Sequence, residues 1–174
     1  EHLIDIGEIE EARKAVKEYL GQVEKIDPIY CTSNQSLNFV LNLKSKMAKE
    51  RSIDFNCVIA SDNGVCLDDA QFVLLFSNLL DNAIENCSEK GSVTFELVEI
   101  NDCHRFKISN TVDADIMSNN PNFKSNKQSD GHGYGISSVK SILNSCEGDI
   151  SFDCDGHRFI VTVLLPKSEF VVTE

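Results

Sequence analysis

No two of the seven cysteines are spaced as Cys-x-x-Cys, so a zinc site is not expected. Their number is odd, and Cys87 and Cys146 fall on apolar helix stripes, where a free thiol acts as a small hydrophobe. All seven are therefore read as thiols in a reducing compartment. No apolar run approaches the roughly 18 residues of a membrane-spanning helix, and there is no secretory signal, so the chain is expected to be soluble. A basic surplus is also missing: net charge is −12, which argues against nucleic acid and anionic membrane surfaces as partners. A phosphate-bearing ligand remains open, because a metal ion and main-chain N–H groups neutralise phosphate locally. There is no internal repeat and no disorder signature. With 41% hydrophobic and 25% charged residues, 174 residues suit one domain with at most a small appendage. The chain opens at Glu1, without Met and inside a helical pattern, and is read as part of something longer.

Residues 1–26 carry apolar positions at steps of three and four (Ile9, Ala12, Val16, Leu20, Val23, Ile26), interrupted at Asp5-Ile6-Gly7. This is the pattern of a helical hairpin with its turn near Gly7. Asp27-Pro28 stops the second helix and leads into a short linker. A helix is expected over 34–50, capped by Ser33, with Leu37, Val40, Leu41, Met47 and Ala48 inward. Strand alternation over 53–60 follows, then a turn at Asp62-Asn63-Gly64. A helix over 67–87 has Asp68 as its cap and Lys90-Gly91 as its close. Strands over 93–97 and 105–110 flank a turn at Asn101-Asp102. Residues 111–130 are rich in Asn, Ser and Asp and read as a long lid-like loop. Helix spacing returns with Ile136, Val139, Ile142, Leu143 and Cys146 and stops at Gly148. Two strands, 149–154 and 157–165, are joined at Asp155-Gly156, and Pro166 ends the sheet. His104 and His157 flank hairpin turns and are expected at the surface. The order is not the strict alternation of a doubly wound sheet. It predicts an α+β fold, a mixed sheet with helices layered on one face.

Two stretches hold residues that neither core nor turn accounts for. On the helix over 67–87, Phe72, Leu75, Phe76, Leu79, Leu80, Ala83, Ile84 and Cys87 form one wide stripe. Asn78 and Asn82 are four apart on another face, with Asp81 and Glu85 beside them. Asn is a mediocre helix former, so the pair is either an incidental solvated face or a set of ligand-facing carboxamides. Gly131-His132-Gly133-Tyr134-Gly135 runs straight into a helix. Alternate glycines let a backbone approach a ligand closely, and the helix start offers free N–H groups to phosphate. A flexible hinge has the same look. The run lacks Gly-Lys-Ser/Thr and follows a loop rather than a strand, so it is neither a P-loop nor a dinucleotide fingerprint.

Asn78-Leu-Leu-Asp-Asn82-Ala-Ile-Glu resembles the N-box of sensor histidine kinases, and Gly131-His-Gly-Tyr-Gly135-Ile136 resembles their second glycine box. These kinases share the Bergerat ATP-binding fold, a two-layer sandwich, with gyrase, a heat-shock chaperone and mismatch-repair ATPases. The order of N-box, hairpin, lid, glycine box, hairpin and closing Leu-Pro is similar from about residue 34 to 166. The likeness is strongest to the peptide-quorum-sensing and citrate-sensor-like branches. It implies that residues 1–30 are the end of a dimerisation hairpin plus linker, and that 31–174 are a catalytic ATP-binding domain with a lid at about 111–130.

The resemblance implies ATP and Mg²⁺ as ligands, with Asn82 on the metal. Asn78 stands where the hydrolysing members place a glutamate base. An amide cannot take a proton at neutral pH, so Asn78 is assigned to positioning nucleotide or imidazole. Asn110 falls at the adenine-reading Asp of the first glycine box, but the usual Asp-x-Gly-x-Gly is absent. Phe123 and Lys127 match a lid aromatic and a phosphate-reaching cation; Gly131, His132, Gly133, Tyr134, Gly135 and Ile136 would line the phosphates. His2 lacks the acidic neighbour of a phosphoacceptor and is read as a surface residue, the acceptor lying upstream of Glu1. The implied function is phosphoryl transfer from ATP to that histidine, for relay to a response regulator. The full-length protein is expected to be a homodimer, attached to a bacterial membrane through a sensor domain, with this portion in the cytoplasm. Two alternatives stand beside it: a degenerate scaffold that has lost ATP, and an anti-sigma-factor-type serine kinase, against which the hairpin argues.

Overall fold

A computed structural model describes residues 29–61, 64–113 and 135–167. Chain order is α1 (Gln35–Glu50), β1 (Asp54–Ile59), α2 (Asp69–Glu85), β2 (Ser92–Ile100), β3 (Cys103–Thr111), α3 (Gly135–Ser145), β4 (Asp149–Cys154) and β5 (Arg158–Pro166). The sheet runs β1-β2-β3-β5-β4; β1 and β2 are parallel and every other pair is antiparallel. The expected hairpin over residues 1–26 and the lid beyond residue 113 lie outside the described residues.

Alternation dictates which sheet face is covered. Val93, Phe95 and Leu97 of β2 are fully buried, as are Phe106 of β3 and Leu165 of β5, with Ile108, Val161 and Val163 nearly so. Register places Leu97, Phe106 and Val163 side by side across three strands. The apolar stripe of α2 lies on this face. Phe76 is central: its ring centroid is 4.6 Å from that of Phe72, 4.4 Å from Phe106 and 5.9 Å from Phe95. The opposite sheet face is mixed: Lys107 and Glu96 pair across strands at 3.9 Å and Arg158 donates to Thr94 Oγ1 at 3.2 Å, while Val58, Ile100 and Leu164 are exposed.

Local signals account for most boundaries, with five differences. The cap of α1 is Asn34, whose Oδ1 accepts from the Leu37 N–H at 2.9 Å, rather than Ser33. Asp68 caps α2 as expected, in a capping box with Gln71. Met47 of α1 is 36% exposed, against the expectation that it faces inward, and Lys44 is 4% exposed. Leu37, Val40, Leu41, Lys44 and Ala48 keep the three-and-four spacing; Met47 keeps it too, but lies at the exposed edge of the stripe. The helix α2 closes at Asn86 rather than at Lys90-Gly91; Lys90 takes a left-handed φ of 53° in the turn that follows. His104 is fully buried, against the expectation of a surface residue, because it shares parity with Phe106 and Ile108 on the covered face. His157 is exposed, as expected. The last turn is centred on Gly156-His157 rather than Asp155-Gly156. Asp155 N–H donates to the Arg158 carbonyl at 3.1 Å, and Gly156 has a φ of 88°. Main-chain N–H groups of Arg158 and His157 both point at Asp155 Oδ1 and hold its carboxyl below the ordinary aspartate value.

Among the described residues all cysteines are free thiols. Burial pushes the Cys57 thiol up to about 12 and that of Cys66 to about 11, the latter aided by neighbouring Cys146 and Cys103. Alkylation needs the thiolate. At pH 8, iodoacetamide is therefore expected to modify exposed Cys31 first and Cys57 last in the folded protein, read by peptide mass spectrometry. Equal rates for the two would contradict this packing.

Candidate functional site

The site is built on α2. Asn78 is half-buried and Asn82 exposed, one turn apart and off the apolar stripe. The main-chain carbonyl of Asn82 accepts from the N–H and Nδ2 of Asn86, which closes the helix just beyond. Three polar contacts fix α2 against α1. Ser36 Oγ donates to Asp69 Oδ1 at 2.6 Å near the start of both helices. Lys44 Nζ donates to both carboxylate oxygens of Asp81 at 2.8 Å. Arg51 Nη1 donates to the carbonyl of Ile84 at 3.3 Å in the last turn. The partners rise together along both chains, so α1 and α2 run in the same direction.

The end of β3 meets the end of α2. Asn110, 2% exposed, donates from Nδ2 to the carbonyls of Asn86 at 3.4 Å and Thr111 at 3.3 Å. Thr111 Oγ1 accepts from the Ser92 N–H at 2.9 Å and lies 3.3 Å from Cys87 Sγ. A Cβ on Gly91 would stand 2.0 Å from that oxygen, so glycine is needed here for close approach, not for positive φ.

The third wall is α3. Gln71 Nε2, in the first turn of α2, donates to Ser145 Oγ, at the last residue of α3, at 3.4 Å. The two helices therefore run antiparallel. At about 1.5 Å rise per residue, Gly135 then lies roughly level with Asp81 and Asn82. The amino end of α3 and the Asn78/Asn82 face thus occupy the same end of the layer. Gly135 opens α3 and Ile136 follows in its first turn. Lys127, Phe123, Gly131, His132, Gly133 and Tyr134 lie outside the described residues, as does His2. Of the expected site residues, Asn78 and Asn82 share one side of α2, Asn110 meets the end of that helix at Asn86, and Gly135 and Ile136 open α3.

Among the described residues no group of three or more His, Cys, Asp or Glu side chains gathers as a ready metal cage. The oxygen-bearing Asn82 on an open helix face is a donor that suits a hard cation with phosphate and water as its remaining ligands. Sequence reasoning missed Lys44, Arg51 and Thr111. Only Lys44 carried a usable signal, its place in the helical period. No described helix is long and apolar enough to cross a membrane.

A mixed five-stranded sheet carrying three helices on one face is the layer arrangement of histidine kinase catalytic domains. The nucleotide-free catalytic domain of histidine kinase ThkA superposes with a TM-score of 0.65 at 20% identity, covering 79% of this chain and 94% of that one. The mycobacterial sensor histidine kinase MprB gives 0.60 at 18%, covering 76% and 96%. The Acinetobacter baumannii histidine kinase AdeS gives 0.62 at 20%, covering 76% and 63%. At these identities the likeness establishes the Bergerat-type α+β fold. The sequence profile of the GHKL domain matches residues 67–166, more than half of the chain, which belongs to that family. A curated relative is the sensor histidine kinase GlnK of Bacillus subtilis (strain 168), 27% identical over 185 aligned positions. The alignment covers 95% of this chain and 44% of GlnK, so the chain spans less than half the length of that relative.

Proposed function

We propose that the chain is the ATP-binding catalytic portion of a two-component sensor histidine kinase, which moves the γ-phosphoryl group of ATP to a histidine on a separate segment of the full-length protein. The observation that supports this best is the common level of the Asn78/Asn82 face and the amino end of α3. A carboxamide pair then faces a helix start rich in main-chain donors, an arrangement that suits a polyphosphate. Asn82 would hold Mg²⁺, which supplies charge neutralisation between the phosphates. Asn78 positions the nucleotide; an amide at that place cannot serve as the general base that activates water. The carbonyl oxygen of Asn110, whose amide donates to main chain, is assigned to the adenine amino group. Main-chain N–H groups from Gly131 to Ile136, with His132, Tyr134 and Lys127, are assigned to the phosphates. Residues 1–30 are assigned to a dimerisation hairpin and linker, and the phosphoryl group passes on to a response regulator. Localisation follows as the cytoplasmic side of a bacterial membrane protein.

Titrating Mg-ATP into the protein by calorimetry tests this reading. Saturable binding is expected for the parent, and loss of about tenfold or more in Mg²⁺-dependent affinity for Asn82→Ala. A second reading, a scaffold that has lost ATP, is favoured by the absent Asp-x-Gly-x-Gly and by the turn of the Asn110 amide toward the backbone. A parent that binds no Mg-ATP would establish that reading and overturn the first.

A further inference from the structure

We infer that Lys44 is a positioning residue for the metal-facing side of α2, acting through Asp81; this rests on the nucleotide reading above. Lys44 Nζ is almost sealed from solvent, its side chain 6% exposed, and it grips both oxygens of Asp81. Such a pair is a weak source of net stability, since desolvating two charges offsets most of their attraction. Packing alone does not need it. Phe72, Phe76, Leu79, Leu80, Ala83 and Ile84 already bury α2.

What apolar packing leaves soft is rotation and sliding, because similar ridges fit neighbouring grooves. A nearly sealed lysine resists such movement, because its head cannot leave the carboxylate without standing buried and uncompensated. The contact sits at Asp81, adjacent to Asn82 and three residues from Asn78, so rotation of α2 would turn both carboxamides to another side, and sliding would carry them off the level of Gly135. The contacts Ser36–Asp69 and Arg51–Ile84 hold the two ends of the helix. Lys44–Asp81 falls between them, in the turn that bears the site. Displacements of about 1 Å at such positions are enough to weaken a metal or phosphate contact.

The test compares the parent, Lys44→Met and Lys44→Arg by calorimetry, with Mg-ATP and separately with ADP in EDTA. Methionine keeps the length of the side chain without its charge; arginine restores two donors. Lys44→Met is expected to lose about tenfold in Mg-ATP affinity and severalfold less in metal-free ADP affinity, which depends on Asn78 but not on the metal at Asn82, and Lys44→Arg to recover most of the loss. Lys44→Gln, which loses the charge but keeps a donor, is expected to show a selective loss of the same sign and serves if Lys44→Met fails to fold by circular dichroism. A role in stability alone would lower both affinities in parallel or neither, and either result overturns the inference. If the parent binds no Mg-ATP, the nucleotide reading falls and takes this inference with it. If the parent binds and Lys44→Met keeps its full metal dependence, this inference falls alone.

Discussion

Replacing Phe76 with alanine is expected to lower the free energy of unfolding by about 3–5 kcal/mol, measured by denaturant titration. The ring is fully buried and touches aromatic neighbours on three elements, Phe72 on its own helix, Phe95 on β2 and Phe106 on β3. Removing it forfeits the transfer of a large apolar group and leaves a void that the surrounding aromatic and strand positions are too rigid to close. Each lost tilted or edge-on ring contact adds about 0.5–1.5 kcal/mol beyond area. Phe76→Leu keeps much of the volume and is expected to cost less than half as much. Since a domain holds only about 5–15 kcal/mol in total, the alanine variant should melt far below the parent. A cost under about 1.5 kcal/mol would mean that α2 does not rest on the sheet through this ring. The consequence reaches the site, because Phe76 lies two residues before Asn78 on the same helix.

That dependence explains why much of this molecule was legible in its sequence. The stripe from Phe72 to Ile84 fixes one side of α2 to the sheet, and Asn78 and Asn82 then have to face elsewhere. Alternation did the same for Val93, Phe95 and Leu97, and for the strand that ends at Asn110. Where the reading failed, residue type had been given more weight than period. Lys44 lies in register with Leu37, Leu41 and Ala48, but a list of apolar positions takes in Met47 and passes over the lysine. His104 has the parity of Phe106 and Ile108, yet its closeness to a turn suggested exposure. In both cases the backbone had no choice once its neighbours were buried, and the polar group went in with them.

A different limit applies to contacts between distant segments. The link from Asn110 to the Asn86 carbonyl joins residues 24 apart, and Gln71 meets Ser145 across 74. Neither follows from local spacing, because both depend on how the sheet is ordered. The exclusion of a side chain at Gly91 is of the same kind. In the sequence Gly91 reads as the end of a helix, but in the fold it is the floor under Thr111, one residue from Asn110. The family resemblance nominated Asn110 for the site. It did not supply the hydrogen bonds that hold that residue in place.

The sharpest energetic consequence concerns the two partners of the ionic contact, which are not equivalent. Asp81→Ala is expected to cost about 3–5 kcal/mol, because it strands an ammonium with 6% side-chain exposure and no counter-charge. Lys44→Met is expected to cost about 1 kcal/mol or less. The carboxylate it leaves behind has a side chain 37% exposed, so water takes over the role of the lysine. The double variant Lys44→Met/Asp81→Ala removes both charges and is expected to lie close to the parent, as buried pairs replaced by apolar groups commonly do. The three unfolding free energies close a double-mutant cycle, whose coupling should be strongly favourable because most of the Asp81→Ala cost disappears once Lys44 is neutral. A small cost for Asp81→Ala would mean that the lysine stem bends its head out to solvent, as long cations do near a surface. Lys44 could not then hold the rotation of α2. A large asymmetry would give a lysine indifferent to stability when exchanged for methionine, and its effect on Mg-ATP affinity would then read out position alone.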